Sequence, residues 1–164
     1  MDMLTRFILY GLLGWIAEIL FTGSYALLSG SVKLAGQTYL WMFPIYGLAA
    51  FLGPMRERMR TMPWPVRGII WAGTFFMIEY LSGWLLRAAI GVCPWDYSQA
   101  SRLALDGLIR LDYFPVWFMA GLIYERIYDF LSGARLVYDL EADPDVTSGI
   151  DTTSAVSEGL MKGS

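Results

Sequence analysis

The sequence contains no histidine and only one cysteine, Cys93, so several common kinds of site cannot be built from it. A zinc site, haem ligation by histidine and a catalytic Ser-His or Cys-His pair are all excluded within one chain, as is an internal disulfide. The sequence also lacks a glycine loop with the spacing that binds nucleotide phosphates. We therefore expect a protein that is neither an ATPase nor another enzyme, with no catalytic residue, metal or cofactor.

Charged residues are also scarce, at 16% of the chain, whereas 56% of the residues are hydrophobic. A soluble domain of this size could not bury so much apolar surface. Residues 7–32 carry a single charge, on Glu18, and they form a run that is too long for a signal-peptide core. Since a helix needs about 20 predominantly apolar residues to cross a bilayer, the sequence predicts an all-α integral membrane protein with a retained first helix.

Apolar runs predict four transmembrane helices, near residues 5–29, 38–55, 65–91 and 113–132. The short loop between the second and third runs carries four bases and one acid: Arg56, Glu57, Arg58, Arg60 and Arg67. Short basic loops stay on the cytoplasmic side of a membrane. Both termini are an even number of crossings from this loop, so we expect both to be cytoplasmic, in a membrane such as the bacterial inner membrane.

The acidic residues are distributed unevenly along the chain. Six acids and one base follow residue 138, whereas the preceding residues hold nine acids and eleven bases. The last 26 residues are also rich in Ser, Thr, Gly and Asp, a composition that cannot bury enough apolar surface to fold. We expect a transmembrane domain of residues 1–138 and a disordered, acidic cytoplasmic tail of residues 139–164.

The sequence contains a weak internal repeat. Four residues recur 61 positions later, in the pairs Arg6 and Arg67, Ile8 and Ile69, Glu18 and Glu79, and Leu20 and Leu81. Six more recur 71 positions later, namely Leu34, Gly36, Leu40, Phe43, Pro44 and Ala49. Because each copy holds two crossings, both copies run the same way through the membrane. The pattern predicts two duplicated helical hairpins, the second with ten extra residues in its outer loop.

Glu18 and Glu79 each follow a boundary arginine by twelve residues, which places both about 18 Å into the membrane. A charged carboxylate is costly there unless it is paired, hydrated or protonated, so both should face the interior of the bundle. Such groups form an intramembrane site for an ion, a proton or a polar substrate, or they only lock the helices together. The residues of the predicted site are Glu18, Thr22, Glu79 and Arg87.

Small residues and prolines mark the expected helix contacts. Glycines close to the acids let a neighbouring helix approach, and prolines near the start of a returning helix set its entry geometry. The predicted packing positions are Gly14, Pro44, Gly47, Gly83, Pro115 and Gly121. Glu125, Arg126 and Asp129 lie near the cytoplasmic end, where we expect them to extend toward water in a structural role.

The predicted outer loop of the second hairpin contains the segment CPWDYSQ, residues 93–99. This segment concentrates turn residues, amphipathic rings and one acid at the water boundary. It is typical of an interfacial cap over the bundle, with a lid or a lipid-headgroup contact as alternatives. The residues that carry this prediction are Cys93, Pro94, Trp95, Asp96 and Tyr97.

An ordered set of motifs covers nearly all of residues 6–131. They are Gly14-Trp15-Ile16-Ala17-Glu18, Trp41-x-Phe43-Pro44-Ile45-Tyr46-Gly47, Glu79-x-x-x-Gly83, CPWDYSQ from Cys93, and Gly107-Leu108-Ile109-x-Leu111-x-Tyr113. In these motifs the chain resembles the eukaryotic transmembrane-protein-229 group, which is similar in turn to bacterial CmpB-like proteins catalogued as ABC-transporter type IV. The resemblance implies a multi-pass membrane protein and suggests transport, but it brings no catalytic assignment.

Three functions are compatible with these features. The first is a transport-related, non-ATPase membrane component that uses the glutamate site. The second is an accessory or structural subunit of a larger membrane complex, and the third is a lipid-acting enzyme with the glutamates and Asp96 as acid and base. Four helices enclose little more than one core, so we expect a homo-oligomer or partner membrane subunits, surrounded by membrane lipids. No feature predicts nucleic-acid binding.

Overall fold

The computed structural model describes residues 2–99 and 101–141, with side chains as far as Gly133. Most of this part of the chain is helical. The α-helices are α1 (Met3–Leu28), α2 (Met42–Gly47), α3 (Gly53–Met59), α4 (Trp64–Ile90) and α5 (Phe114–Glu141). The chain divides into two compact units within α5, after Glu125.

Helix α1 has a defined start and a length suited to a membrane crossing. The Asp2 carboxylate accepts a hydrogen bond from the Thr5 N–H at 3.0 Å, as an N-cap residue does. The 26 residues that follow make a helix about 39 Å long, which exceeds the hydrocarbon thickness of a bilayer. The helix ends at Leu28, and Gly30 then turns the chain at φ 87°, where a side chain would be strained.

Helix α4 is the second long helix, and its ends are also marked in the sequence. Pro63 precedes it and Pro65 lies in its first turn, where the missing N–H of proline costs nothing. Gly91 follows its last residue at φ 81°, and the Gly91 N–H donates to the Arg87 carbonyl at 3.1 Å. This left-handed glycine is a common helix C-cap.

Residues 42–59, between α1 and α4, form one helical segment with an irregular centre. A 3₁₀ turn, Leu48–Leu52, separates α2 from α3. Pro54 lies in the first turn of α3 and has no N–H to donate to the preceding turn, which accounts for the interruption. The predicted helix over 38–55 is therefore shifted to 42–59, and residues 38 and 39 belong to an extended linker, residues 29–41.

Residues 91–113, here called the connector, link α4 to α5 and contain a small β-hairpin. Strand β1 (Ala104–Leu105) pairs in antiparallel fashion with β2 (Ile109–Arg110). The turn between them places Asp106 and Gly107 at φ 52° and 68°, and the Leu108 N–H donates to the Leu105 carbonyl. Two consecutive positive φ angles match the twist of a tight hairpin.

Helices pack closely where glycines face aromatic rings. A Cβ at Gly14 would overlap the Tyr46 ring, and one at Gly121 would overlap Trp71. In the α4–α5 pair, Trp71 is fully buried and stacks at 5.8 Å on Phe75. The Tyr124 hydroxyl donates to the Ala49 carbonyl at 3.0 Å, which ties α5 to the 3₁₀ turn. The described residues as far as Glu125 therefore share one core.

Within the described residues, two helices are long and apolar enough to cross a membrane. They are α1 and α4, with mean hydropathies of 1.6 and 1.4 over their most apolar stretches, and they match the first and third predicted crossings. The second and fourth crossings, the duplication and the orientation stay predictions. Helix α5 continues to Glu141, past the predicted domain boundary at residue 138. The rest of the predicted tail, residues 142–164, lies outside the described residues.

Candidate functional site

Glu79 lies in the middle of α4 and is almost completely buried, with 4% of its surface exposed. The Tyr97 hydroxyl, from the connector, donates to Glu79 Oε1 at 3.1 Å. Trp117 of α5 lies within electrostatic range of the carboxyl group. Glu79 Oε2 and Trp117 Nε1 nevertheless form no hydrogen bond. One oxygen of this buried carboxyl therefore has no hydrogen-bond donor.

Glu18 occupies the corresponding place in α1 and is half-buried. The Thr38 hydroxyl, from the linker, donates a short hydrogen bond to Glu18 Oε2. The Tyr46 hydroxyl of α2 lies within electrostatic range of this carboxyl. Both partners are neutral hydroxyl groups, which solvate a carboxyl without neutralising its charge.

The two carboxyl groups belong to one cluster. Glu18 and Glu79 both act electrostatically on the Tyr46 hydroxyl, and Glu18 acts on Glu79 as a like charge. In the part of the chain that the structure describes, neither carboxyl forms an ion pair with a basic side chain. The described residues also contain no group of three His, Cys, Asp or Glu side chains that could hold a metal. We call Glu18, Tyr46, Glu79 and Tyr97 the carboxyl cluster.

Thr22 has a structural role beside the carboxyl cluster. Its hydroxyl donates to the Glu18 carbonyl at 2.8 Å, one turn earlier in α1. The same oxygen accepts a hydrogen bond of 2.8 Å from the Gln37 N–H, and so fastens the linker to the helix. The Gln37 side-chain amide forms no hydrogen bond among the described residues. Thr22 thus positions the linker that carries Thr38 to Glu18.

Arg87 does not join the cluster, contrary to the prediction from the sequence. It is exposed, and its Nη2 donates at 3.1 Å to the carbonyl of Asp106 in the connector. The sequence correctly suggests that Glu79, Gly83 and Arg87 share one helix face. This face is covered by the connector instead of a neighbouring helix, because Leu108 and Trp95 lie against Gly83. Arg87 therefore anchors the connector.

The connector residues that the sequence singles out divide into buried and exposed groups. Trp95 is buried, and its indole N–H donates to the Leu108 carbonyl at 3.0 Å. Burial raises the pKa of Cys93 above its usual value, which makes a reactive thiolate less accessible. Pro94, between these two residues, is half-buried. The segment folds over α4, as an interfacial cap would.

Tyr97 and Asp96 are neighbours in the sequence but differ in environment. Burial, followed by the nearby Glu79 carboxyl, raises the pKa of Tyr97 well above its usual range, so the phenol keeps its proton and donates a hydrogen bond to Glu79. Asp96 is exposed, and hydrogen bonds from the side chain and the N–H of Ser98 lower its pKa. Tyr97, and not Asp96, is therefore the connector residue that reaches a buried carboxyl.

An open groove of about 410 Å³ lies beside the carboxyl cluster. Its aromatic walls include Phe21 and Tyr113, whose rings meet edge to face at 6.0 Å. Tyr113 also meets Tyr97 edge to face at 6.2 Å. Further groove residues are Thr22, Tyr25, Ala26 and Gln37. The groove walls thus contact residues that bind each of the two carboxyls.

A third carboxyl, that of Glu125, is also buried. Glu125 is 3% exposed, so the prediction that it extends toward water is wrong. Arg67 Nε lies 2.9 Å from Oε1 and 3.0 Å from Oε2, and the Trp71 indole donates to Oε1 at 2.9 Å. Arg56 Nε lies 4.0 Å away. The sequence feature that could have indicated this ion pair is the arginine-rich loop, together with an acid in the last predicted crossing.

The packing positions that the sequence predicts are found at close contacts. Gly47 accommodates the Phe7 ring, Gly14 accommodates Tyr46 and Gly121 accommodates Trp71, all between helices. Gly83 instead accommodates the connector. Pro44 and Pro115 lie in the first turns of α2 and α5, where a missing N–H is harmless.

No solved structure matches this chain. The predicted resemblance to the transmembrane-protein-229 group stays a prediction. A family described as "Putative ABC-transporter type IV", ABC_trans_CmpB, matches residues 5–142. This match covers all but the first two residues of α1 and extends past the end of α5. The chain therefore belongs to the ABC_trans_CmpB family.

Proposed function

We propose that this protein is a non-ATPase membrane component of a transport system, with Glu18 and Glu79 as its intramembrane polar site. The observation that carries this proposal is the buried Glu79 carboxyl, which has no basic partner among the described residues and one oxygen without a donor. A carboxyl of this kind is expensive inside a membrane and marks an ion or proton pathway more often than a helix lock. The family description points the same way.

We also propose that the chain forms four crossings as two duplicated hairpins. Contacts between equivalent positions support the duplication. The Phe7–Gly47 contact in the first half corresponds to a Gly68–Phe118 contact in the second, with ring and glycine exchanged. Two further pairs of contacts correspond in the same way. The Gly14–Tyr46 contact of the first half corresponds to the Phe75–Trp117 contact of the second. The Thr22–Gln37 hydrogen bond of the first half corresponds to the Gly83–Leu108 contact of the second. Unrelated hairpins would not place contacts at the same positions.

In this arrangement the carboxyl cluster lies between the two hairpins, because Glu18 belongs to the first and Glu79 to the second. Each hairpin supplies a second polar group, Tyr46 in the first and Tyr97 in the second. The arginine-rich loop, and with it both termini, is placed on the cytoplasmic side by its charge. A four-helix bundle encloses too little space for a solitary pathway, so the proposal includes further copies or partner membrane subunits.

The proposal is tested by reconstituting the purified protein, with any subunits that co-purify in a mild detergent, into liposomes that contain a pH-sensitive dye. We expect proton or alkali-cation flux that falls at least about tenfold in the Glu18→Gln/Glu79→Gln double variant, whose thermal unfolding should stay close to wild type. Asp96→Asn serves as the matched control, since Asp96 is an exposed acid outside the carboxyl cluster. Flux that is absent, or unchanged in the double variant, contradicts the proposal.

A structural or accessory role is the second candidate. The buried contacts of Glu125 with Arg67 and Trp71 favour it, because they fix helices in place. Native mass determination separates the two: an accessory role requires a stoichiometric complex with another chain, whereas a homo-oligomer favours transport. The third candidate, a lipid-acting enzyme, has less support. Its proposed acid or base, Asp96, is exposed and bonded to Ser98 instead of facing the glutamates.

A further inference from the structure

The groove beside the carboxyl cluster has dimensions and walls that suit a ligand. Its volume of about 410 Å³ lies within the range of small-molecule sites in proteins, which is roughly 300–1,000 Å³. Phe21, Tyr25 and Tyr113 supply aromatic surface, and Gln37 supplies a side-chain amide with no hydrogen-bond partner among the described residues. A few polar groups among aromatic walls are typical of ligand-binding sites.

The groove leads toward both carboxyl groups. On one side, Thr22 lies one turn from Glu18, and Gln37 precedes Thr38, which donates to the Glu18 carboxyl. On the other side, Tyr113 contacts Tyr97, whose hydroxyl donates to Glu79. The groove walls are therefore linked to Glu79 through Tyr97 and to Glu18 through Thr38.

The charges around the groove select the sign of the ligand. Two basic side chains already have partners in the connector: Arg110 binds Asp112 at 2.6 Å, and Arg87 of α4 binds the Asp106 carbonyl. The Arg110 guanidinium also lies 4.3 Å from the centre of the Tyr113 ring, so this ring already interacts with one cation. Two carboxyls without a basic partner and several electron-rich rings favour a cationic ligand.

We propose that this groove admits a hydrophobic organic cation, which moves from the bilayer side of α1 toward Glu18. This inference rests on the proposed function and names its substrate class. Aromatic rings bind the apolar body and attract the charge, Gln37 orients a polar substituent, and the carboxyl cluster balances the charge at the inner end. A small inorganic ion would not need a groove with aromatic walls.

The test is saturable binding of tetraphenylphosphonium to the purified full-length protein in detergent, measured by equilibrium dialysis against empty micelles. Tetraphenylborate is the matched control, because it has the same size and the opposite charge. We expect binding of the cation only. Ala26→Trp, which fills the groove, and Glu18→Gln should each weaken it by about tenfold or more, which corresponds to about 1.4 kcal/mol. Gln37→Leu, at an exposed position, should weaken it by about threefold.

Ala17→Trp is the control for a bulky substitution, because Ala17 is an exposed residue of α1 that does not line the groove. It should bind the cation as wild type does, and every variant should keep the wild-type melting temperature. Equal binding of tetraphenylphosphonium and tetraphenylborate indicates an apolar groove without charge preference and overturns the inference. An Ala26→Trp variant that binds the cation with wild-type affinity also overturns it. Loss of binding in Glu18→Gln but not in Ala26→Trp overturns the groove while leaving the proposed glutamate site intact.

Discussion

Two carboxyl groups in this protein are buried to nearly the same extent but differ in their hydrogen-bond and ion-pair partners. Glu125 is 3% exposed and has an arginine on both oxygens and an indole on one. Glu79 is 4% exposed, accepts a hydrogen bond from the Tyr97 phenol, and forms no ion pair among the described residues. A satisfied ion pair at Glu125 fixes helices in place, whereas the incompletely satisfied Glu79 is available for other chemistry. Burial alone therefore does not distinguish a structural carboxyl from a functional one.

The largest effect should come from removing the charge of Glu125. Glu125→Gln leaves Arg67 and Arg56 without the carboxylate they share, and breaking a buried pair in this way costs about 3–5 kcal/mol. We expect a correspondingly lower free energy of unfolding in detergent. Glu79→Gln is the matched control and should change stability by less than about 1 kcal/mol. Similar losses in both variants would remove the distinction between the two carboxyls.

A somewhat smaller effect should follow from a larger residue at the α4–α5 contact. Gly121→Leu places its side chain against Trp71, and overpacking of this kind costs about 1–3 kcal/mol. The control is Gly73→Ala, because a Cβ at Gly73 meets no atom within 4 Å. This substitution should stabilise α4 by up to about 1 kcal/mol. Thermal unfolding of the two variants measures both changes in stability. A Gly121→Leu variant with wild-type stability would contradict the close contact.

Removing the Tyr97 hydroxyl should have a moderate effect confined to the carboxyl cluster. Tyr97→Phe removes the hydrogen-bond donor to Glu79, which costs about 1 kcal/mol and leaves the ring in place. We expect the infrared carboxyl band of Glu79 to shift. Tyr80→Phe is the control, because the Tyr80 hydroxyl bonds to Asp106 in the connector. A band that moves equally in both variants would place Tyr97 outside the cluster.

The smallest effect concerns the exposed end of the connector. The hydrogen bond from Arg110 lowers the pKa of Asp112 from its usual 3.8, so this contact adds stability above about pH 3.8 and loses it as the pH falls further. The protection of residues 101–113 from hydrogen exchange, relative to the intrinsic rate at each pH, should therefore fall in acid. Asp112→Asn should show faster exchange at neutral pH and less further change in acid. Identical pH profiles for the two proteins would show that the pair does not hold the connector.

The sequence predicts the helices and the two carboxyls better than it predicts their partners. An acid isolated in a long apolar run is conspicuous, so Glu18 and Glu79 are found without a structure. Their donors come from other segments: Thr38 lies 20 residues from Glu18, and Tyr97 lies 18 residues from Glu79. Helical periodicity does not reach across such distances, and the partner of Arg87 is mispredicted for the same reason.

Two other differences between the predicted and the observed structure, the start of the second helix and the burial of Glu125, have local causes. The second predicted helix starts four residues late because the chain at residues 38 and 39 is extended: Thr38 binds Glu18, and the Tyr39 carbonyl accepts a hydrogen bond from Trp15. The burial of Glu125 is not predicted, because the internal repeat contains no equivalent acid in the first hairpin. The equivalent position in the first hairpin, 71 residues earlier, is Pro54, which has no charge.

The most direct test of the central claim is infrared difference spectroscopy of carboxyl protonation, on the protein reconstituted in lipid and taken through a pH titration. The account predicts a protonated-carboxyl band that disappears in Glu79→Gln, shifts in Glu18→Gln because the two groups interact, and is unchanged in Glu125→Gln. No such band, or a band that disappears only in Glu125→Gln, would contradict a functional carboxyl pair within the membrane.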